Sequence, residues 1–258
     1  MYDSVLEQID QQVRSASLAA MPEEIRLLDD ILLHMNHGMV PFSGVSNDRG
    51  LNLLPVLLLH RAFGSLWRAR ESTICGYPIQ SLTLCRTALE DWGTLCYVQR
   101  HPERRNLWLR DVFEEVGDPG QAPSFRDIWD DLGELGQAAK RAYSILSLFA
   151  HPRGRGFRWL YHSDAETVYF HTGGYFDQRA LERCLFTIIP VAQSFLEPIR
   201  ELQCRVLGDA NPEWVRRAND MSKEGAEFID RVSGEILKDV ETDAGSSPQM
   251  YEDQEAQQ

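Results

Sequence analysis

A mainly α fold, a multi-helix bundle with one small β-hairpin insertion, is what this sequence predicts. Three observations carry that expectation. Apolar residues recur at three- and four-residue spacing through most of the chain. Pro22, Pro78, Pro102 and Pro212 stand where such runs begin, the position at which a helix tolerates a missing N–H. Between Gly154 and Thr172 the pattern changes to short aromatic and β-branched runs, which suit a pleated surface.

Taken in order, Ser4 to Ala19 is a modest amphipathic helix with Val5, Ile9 and Val13 on one side. Pro22-Glu23-Glu24 starts a second, with acids facing the positive end of the helix dipole and Ile25, Leu28, Ile31 and Leu32 as the buried face. Pro41 to Gly50 reads as a loop. The next helix, from Leu51 to about Cys75, is the most apolar and stops at Gly76. Pro78 starts another that carries Leu82, Leu89, Trp92 and Cys96, until His101-Pro102 interrupts it. Pro102 opens a short helix with Leu107, Leu109 and Phe113 as core candidates, and Asp118 to Pro123 is a turn-rich linker. Ser124 is a helix cap for Phe125 to Leu135, and Gln137 to His151 follows. The hairpin occupies about 156–172. From Asp177 a long helical run reaches about Leu207, with bends expected at Pro190 and Pro198. Asn211-Pro212 caps a last helix to about Asp239. Residues 1–240 form a single helical domain and 241–258 a disordered acidic tail.

With 258 residues and 43% apolar content, the chain buries about 70% of its unfolded surface and needs no disulfide or metal staple. The formal charge of −13 disfavours a general nucleic-acid coat, because phosphate attraction dominates non-specific binding. Five of those charges, Glu241, Asp243, Glu252, Asp253 and Glu255, lie in the tail, and −13 less these five leaves −8. A local basic site is compatible with that balance; a basic face is not. The five cysteines (Cys75, Cys85, Cys96, Cys184 and Cys204) are widely spaced in apolar helices, as expected of buried, reduced thiols in a cytoplasmic protein. The longest apolar stretch, Leu51 to Leu59, is too short to span a bilayer, so no membrane partner is expected.

The chemistry-bearing residues cluster in two helices. Tyr143, Ser147 and His151 recur every fourth residue, and at about 100° per residue each step drifts only about 40°, so they form a stripe. Arg86 and Glu90 repeat the same step within an apolar helix, where a buried pair needs further hydrogen bonds. A shared polar pocket and a structural polar network both fit. Beyond His151 the chain holds Arg153, Arg155 and Arg158, whose forks match phosphate or carboxylate, or which stack on Trp159 and Tyr161 at a solvated rim. His34 and His37 share a helix face, but no completing carboxylate motif is present, so no metal is expected. No phosphate-binding glycine loop, dinucleotide fingerprint or nucleophile elbow occurs, and no cofactor is expected.

Arg86-Thr-Ala-Leu-Glu90, Gln99-Arg-His-Pro102-Glu and Tyr143-Ser-Ile-Leu-Ser147-Leu-Phe-Ala-His151-Pro152 together resemble the motifs of a group of uncharacterised bacterial helical proteins. The resemblance covers roughly Leu51 to Leu207 and implies no activity. More distantly the chain is similar to HEPN domains, helical bundles that include metal-independent ribonucleases of toxin and phage-defence systems. Their active helix carries Arg, four to six residues, then His; here Arg141 precedes His151 by ten positions.

Two functional expectations follow. The first is a non-catalytic binding or interaction protein. Its ligand groups are Arg86, Glu90, Tyr143, Ser147, His151, Arg153 and Arg155, its partner an anionic small molecule or RNA, and its apolar helices supply a homo-oligomer face. The second, implied by the HEPN resemblance, is a ribonuclease in which His151 shuttles the proton and Arg86 or Arg141 stabilises phosphate charge, with Ser147 as a further catalytic candidate.

Overall fold

A computed structural model describes residues 2–42, 53–105, 107–108, 122–150, 161–163, 168–170 and 173–245, with the backbone course alone for 2–4, 161–163, 168–170 and 232–245. The packed part is all-α. Helix α1 spans Tyr2–Ala20 and α2 spans Pro22–Met39, where Pro22 opens the first turn and Glu23 and Glu24 face the dipole. Ile25, Leu28, Ile31, Leu32 and Met35 bury one face of α2. Helices α3, Leu53–Ile74, and α4, Pro78–Arg100, form an antiparallel hairpin and the most extensive helix pair among the described elements. Gly76 makes their turn possible: its φ is +76°, and a Cβ there would overlap the backbone of Tyr175.

Ser124 starts α5, Phe125–Asp131, by a reciprocal cap: its hydroxyl accepts from the Asp127 N–H at 3.3 Å while the Asp127 carboxylate accepts from the Ser124 N–H at 3.1 Å. The chain breaks at Gly133, φ +66°, and continues as α6, Gly133–Ala150. The break thus comes before Leu135, where the hydrophobic period had suggested continuation, because Gly133 takes a left-handed conformation that ends the first helix. Tyr161–Ser163 and Val168–Phe170 pair antiparallel as β1 and β2, Tyr161 opposite Phe170 and Ser163 opposite Val168. The remainder of the expected 156–172 hairpin lies outside the described residues.

Helices α7, Gln178–Ser194, and α8, Leu196–Leu207, replace the expected single run. The break is at Phe195, not at Pro190, through which α7 passes, nor at Pro198. Pro198 still causes it. Lacking an N–H, it cannot bond the carbonyl of Ser194, which instead accepts the Trp92 indole N–H at 2.9 Å. Helix α9, Pro212–Gly245, starts on Asn211, whose Oδ1 accepts the N–H groups of Glu213 and Trp214, and its backbone runs into the expected acidic tail. Residues 246–258 lie outside the described part.

Helix α4 is the hub, packed on α3, α5, α6 and α7. Leu59, Leu66, Leu95, Ile188, Ile189 and Ile199 are fully buried around it, each contributing roughly 1.5–3 kcal/mol of transfer free energy. Ion pairs tie its periphery. Arg70 reaches Asp29 of α2 through two bonds of 2.7 Å, Arg14 of α1 reaches Glu71, and Arg61 of α3 forks onto the fully buried Asp91 of α4. All five cysteines are free thiols; of those expected buried, Cys204 on α8 is exposed and Cys75 and Cys96 are only partly buried. No described helix is long and apolar enough to cross a membrane.

Candidate functional site at the junction of α4, α5 and α6

The apolar line of α4, through Leu82, Cys85, Leu89 and Trp92, turns toward the core. Arg86 and Glu90 fall at its border, with side chains 20% and 22% exposed. The Arg86 guanidinium lies 4.8 Å from the centroid of the Tyr143 ring on α6. Its Nη2 donates to the Tyr143 hydroxyl at 2.6 Å and stands 3.2 Å from the Glu90 carboxylate. Tyr143 in turn belongs to an aromatic cluster: its ring is 6.0 Å from those of Phe125 and Trp129, and Trp129 is 6.4 Å from Trp92.

Trp129 can lie this deep because two glycines make room. A Cβ on Gly93 would overlap its ring, and one on Gly136 would overlap its carbonyl oxygen. Trp129 is 2% exposed, yet its indole Nε1 has no hydrogen-bond partner among the described residues, and the same is true of the buried Arg86 Nε. Both are donors, and both belong to side chains packed on the Tyr143 ring. A buried donor left unpaired costs about 1–3 kcal/mol, so two at one junction are a considerable expense for a domain of ordinary stability.

Of the residues singled out from sequence, Arg86, Glu90 and Tyr143 are brought together. Ser147 is not part of their network; its hydroxyl donates back to the Tyr143 carbonyl at 2.7 Å, within its own helix. His151, Arg153 and Arg155 lie outside the described residues, as does Arg158. The helix placing Lys140 near this region spends that cation on Asp130 at 3.2 Å. Sequence reasoning did not single out Trp129. The signal for it was indirect, in Gly93 standing inside an otherwise good helix.

Other chemistries find little footing. His34 is buried against Trp214 while His37 is exposed, and no group of three or more metal-ligating side chains converges among the described residues. Burial pushes the Cys184 and Cys96 thiols up to about 12, and that of Cys85 well above the usual range, so these sulfurs stay protonated and weakly nucleophilic. The junction therefore presents two donors unpaired among the described residues beside an aromatic cluster.

No family model, curated protein or solved structure matches the chain.

Proposed function

We propose that the chain is a non-catalytic binding protein whose junction of α4, α5 and α6 receives an anionic group. One observation carries the reading: two buried donors, Arg86 Nε and Trp129 Nε1, flank Tyr143 without an acceptor among the described residues. An oxyanion supplies acceptors and charge together, and an arginine fork suits it. Glu90 keeps part of the guanidinium occupied and fixes its plane. Tyr143 holds the same fork from the opposite helix, so Arg86 is oriented before any ligand arrives.

In this reading His151, Arg153 and Arg155 complete the anion-facing side, beside a small β-hairpin insertion over about 156–172. The resemblance to the bacterial helical group and to HEPN domains belongs to the same proposal, with RNA or a small anionic molecule as ligand. A homo-oligomer remains the expected assembly.

The test is calorimetric titration of the full chain with inorganic phosphate and with a short single-stranded RNA, alongside RNA incubation in EDTA. Saturable binding that is lost in Arg86→Gln, with RNA left intact, is the expected result. Binding undiminished in Arg86→Gln would remove the reading. RNA cleavage that disappears in a folded His151→Ala protein would replace it with the ribonuclease.

A further inference from the structure

A second site lies further along α4 toward its C-terminal end and shares Trp92 with the junction. Helices α4, α6 and α8 enclose a solvent-open groove of about 710 Å³, within the range of small-molecule sites. Its walls are held by bonds that do not depend on a ligand. The Trp92 indole N–H donates to the Ser194 carbonyl at 2.9 Å, and the Gln99 amide donates to the Pro198 carbonyl at 3.2 Å. The groove is thus preformed. Leu135 contributes an exposed apolar side chain, 55% accessible, with Cys96 and Pro198 beside it.

The charges lining the groove are not balanced. Arg200 is neutralised by Glu197, one turn away on α8. Arg100 spends one donor on a neutral acceptor, the Asp131 carbonyl, at 3.1 Å. Arg205 lines the same groove and has no carboxylate partner among the described residues. Against these two cations stands one unpaired carboxylate, Glu201, which leaves a single positive charge in a chain of net −13. Burial first, then the charge of Arg205, holds the Arg105 guanidinium below its usual value against the opposing charge of Glu103.

We propose that this groove binds a small amphipathic monoanion, a ring-bearing carboxylate whose apolar body rests on Leu135, Cys96 and Pro198 and whose charge meets Arg100 and Arg205. One excess cation matches one negative charge. Glu201 repels a dianion such as a phosphate monoester and gives the site its selectivity.

Calorimetry of the full chain with naphthoate tests this, with naphthylmethylammonium as the probe of opposite charge. Naphthoate is expected to bind with a dissociation constant of about 1 mM or tighter, and the cation not to saturate. Arg205→Glu and Leu135→Asp change exposed side chains, leave the fold intact by circular dichroism, and are each expected to weaken naphthoate about tenfold or more. Arg86→Gln, at the junction, leaves naphthoate binding unchanged, so failure of one site is distinguishable from failure of the other. The proposal is overturned by absence of saturable naphthoate binding, by equal binding of the cation, by undiminished affinity in Arg205→Glu, or by loss of binding in Arg86→Gln.

Discussion

Trp214, in the seam between α2 and α9, donates its indole N–H to the His34 carbonyl at 3.0 Å and accepts from the His34 ring Nε2 at 2.9 Å on its own carbonyl. The two rings stack at 4.5 Å, and Gly38 admits them closely, since a Cβ there would lie 2.8 Å from the indole. Trp129, at the junction of α4, α5 and α6, is buried more deeply and also rests on glycine, yet its indole N–H has no acceptor among the described residues. The contrast separates two uses of a buried polar group. Where every donor and acceptor is paired within the bundle, the group closes a seam. Where donors are unpaired among the described residues, the bundle bears a cost that an acceptor from outside it relieves.

Truncating the paired tryptophan should have the largest effect. Trp214→Ala is expected to cost about 3–5 kcal/mol in urea unfolding, through lost burial and a cavity between α2 and α9. A gentler pair of substitutions sharpens the comparison. Trp214→Phe removes the indole donor from the His34 carbonyl and should cost about 0.5–1.5 kcal/mol beyond the lost volume. Trp129→Phe removes a donor that bonds nothing among the described residues and should lack that extra penalty. Equal hydrogen-bond penalties in the two variants would erase the distinction between the seams.

Much of this arrangement was legible in the sequence, and the rest was hidden for identifiable reasons. The four-residue steps Arg86–Glu90 and Tyr143–Ser147 fix which residues share a helix face, so the meeting of Arg86, Glu90 and Tyr143 followed once α4 and α6 packed. Ser147 shows the limit of spacing alone, because a hydroxyl on the right face can still turn back to its own helix. Trp129 escaped because its importance rests on two glycines from other segments. Arg100 and Arg205 escaped because a groove between α4, α6 and α8 is a tertiary fact that no local pattern encodes. The Phe195 break was misplaced for a similar reason: Pro198 signals an unpaired carbonyl four residues upstream, and the side chain that donates to it, Trp92, is about a hundred residues away.

The pH dependence of the paired seam gives a smaller effect. Burial first, opposed by the bond to the Trp214 carbonyl and reinforced by the charges of Arg217 and His37, lowers the His34 pKa in the folded chain. The unfolded histidine takes a proton near pH 6.5 while the folded one stays neutral. The unfolded state then binds more protons, so this contribution to stability is complete above about pH 6.5 and declines as pH falls toward the lowered folded value. His34→Gln should flatten that part of the stability profile, and an unchanged slope would show that His34 does not titrate on unfolding. The smallest effect belongs to Ser147→Ala, which removes only a back-bond within α6. It should shift stability by no more than about 0.5 kcal/mol and leave phosphate binding as it was. A large loss of binding would return Ser147 to the site.

The most direct measurement follows the indole N–H of Trp129 and the Nε–H of Arg86 by proton–nitrogen NMR while inorganic phosphate is added to the full chain, with Trp129→Phe and Arg86→Gln providing the assignments. Both resonances should move together and saturate, with the Trp214 indole, already bonded to His34, staying still. If the Trp129 and Arg86 signals remain fixed throughout, or move no more than that of Trp214, the unpaired donors are not an anion site and the central claim fails.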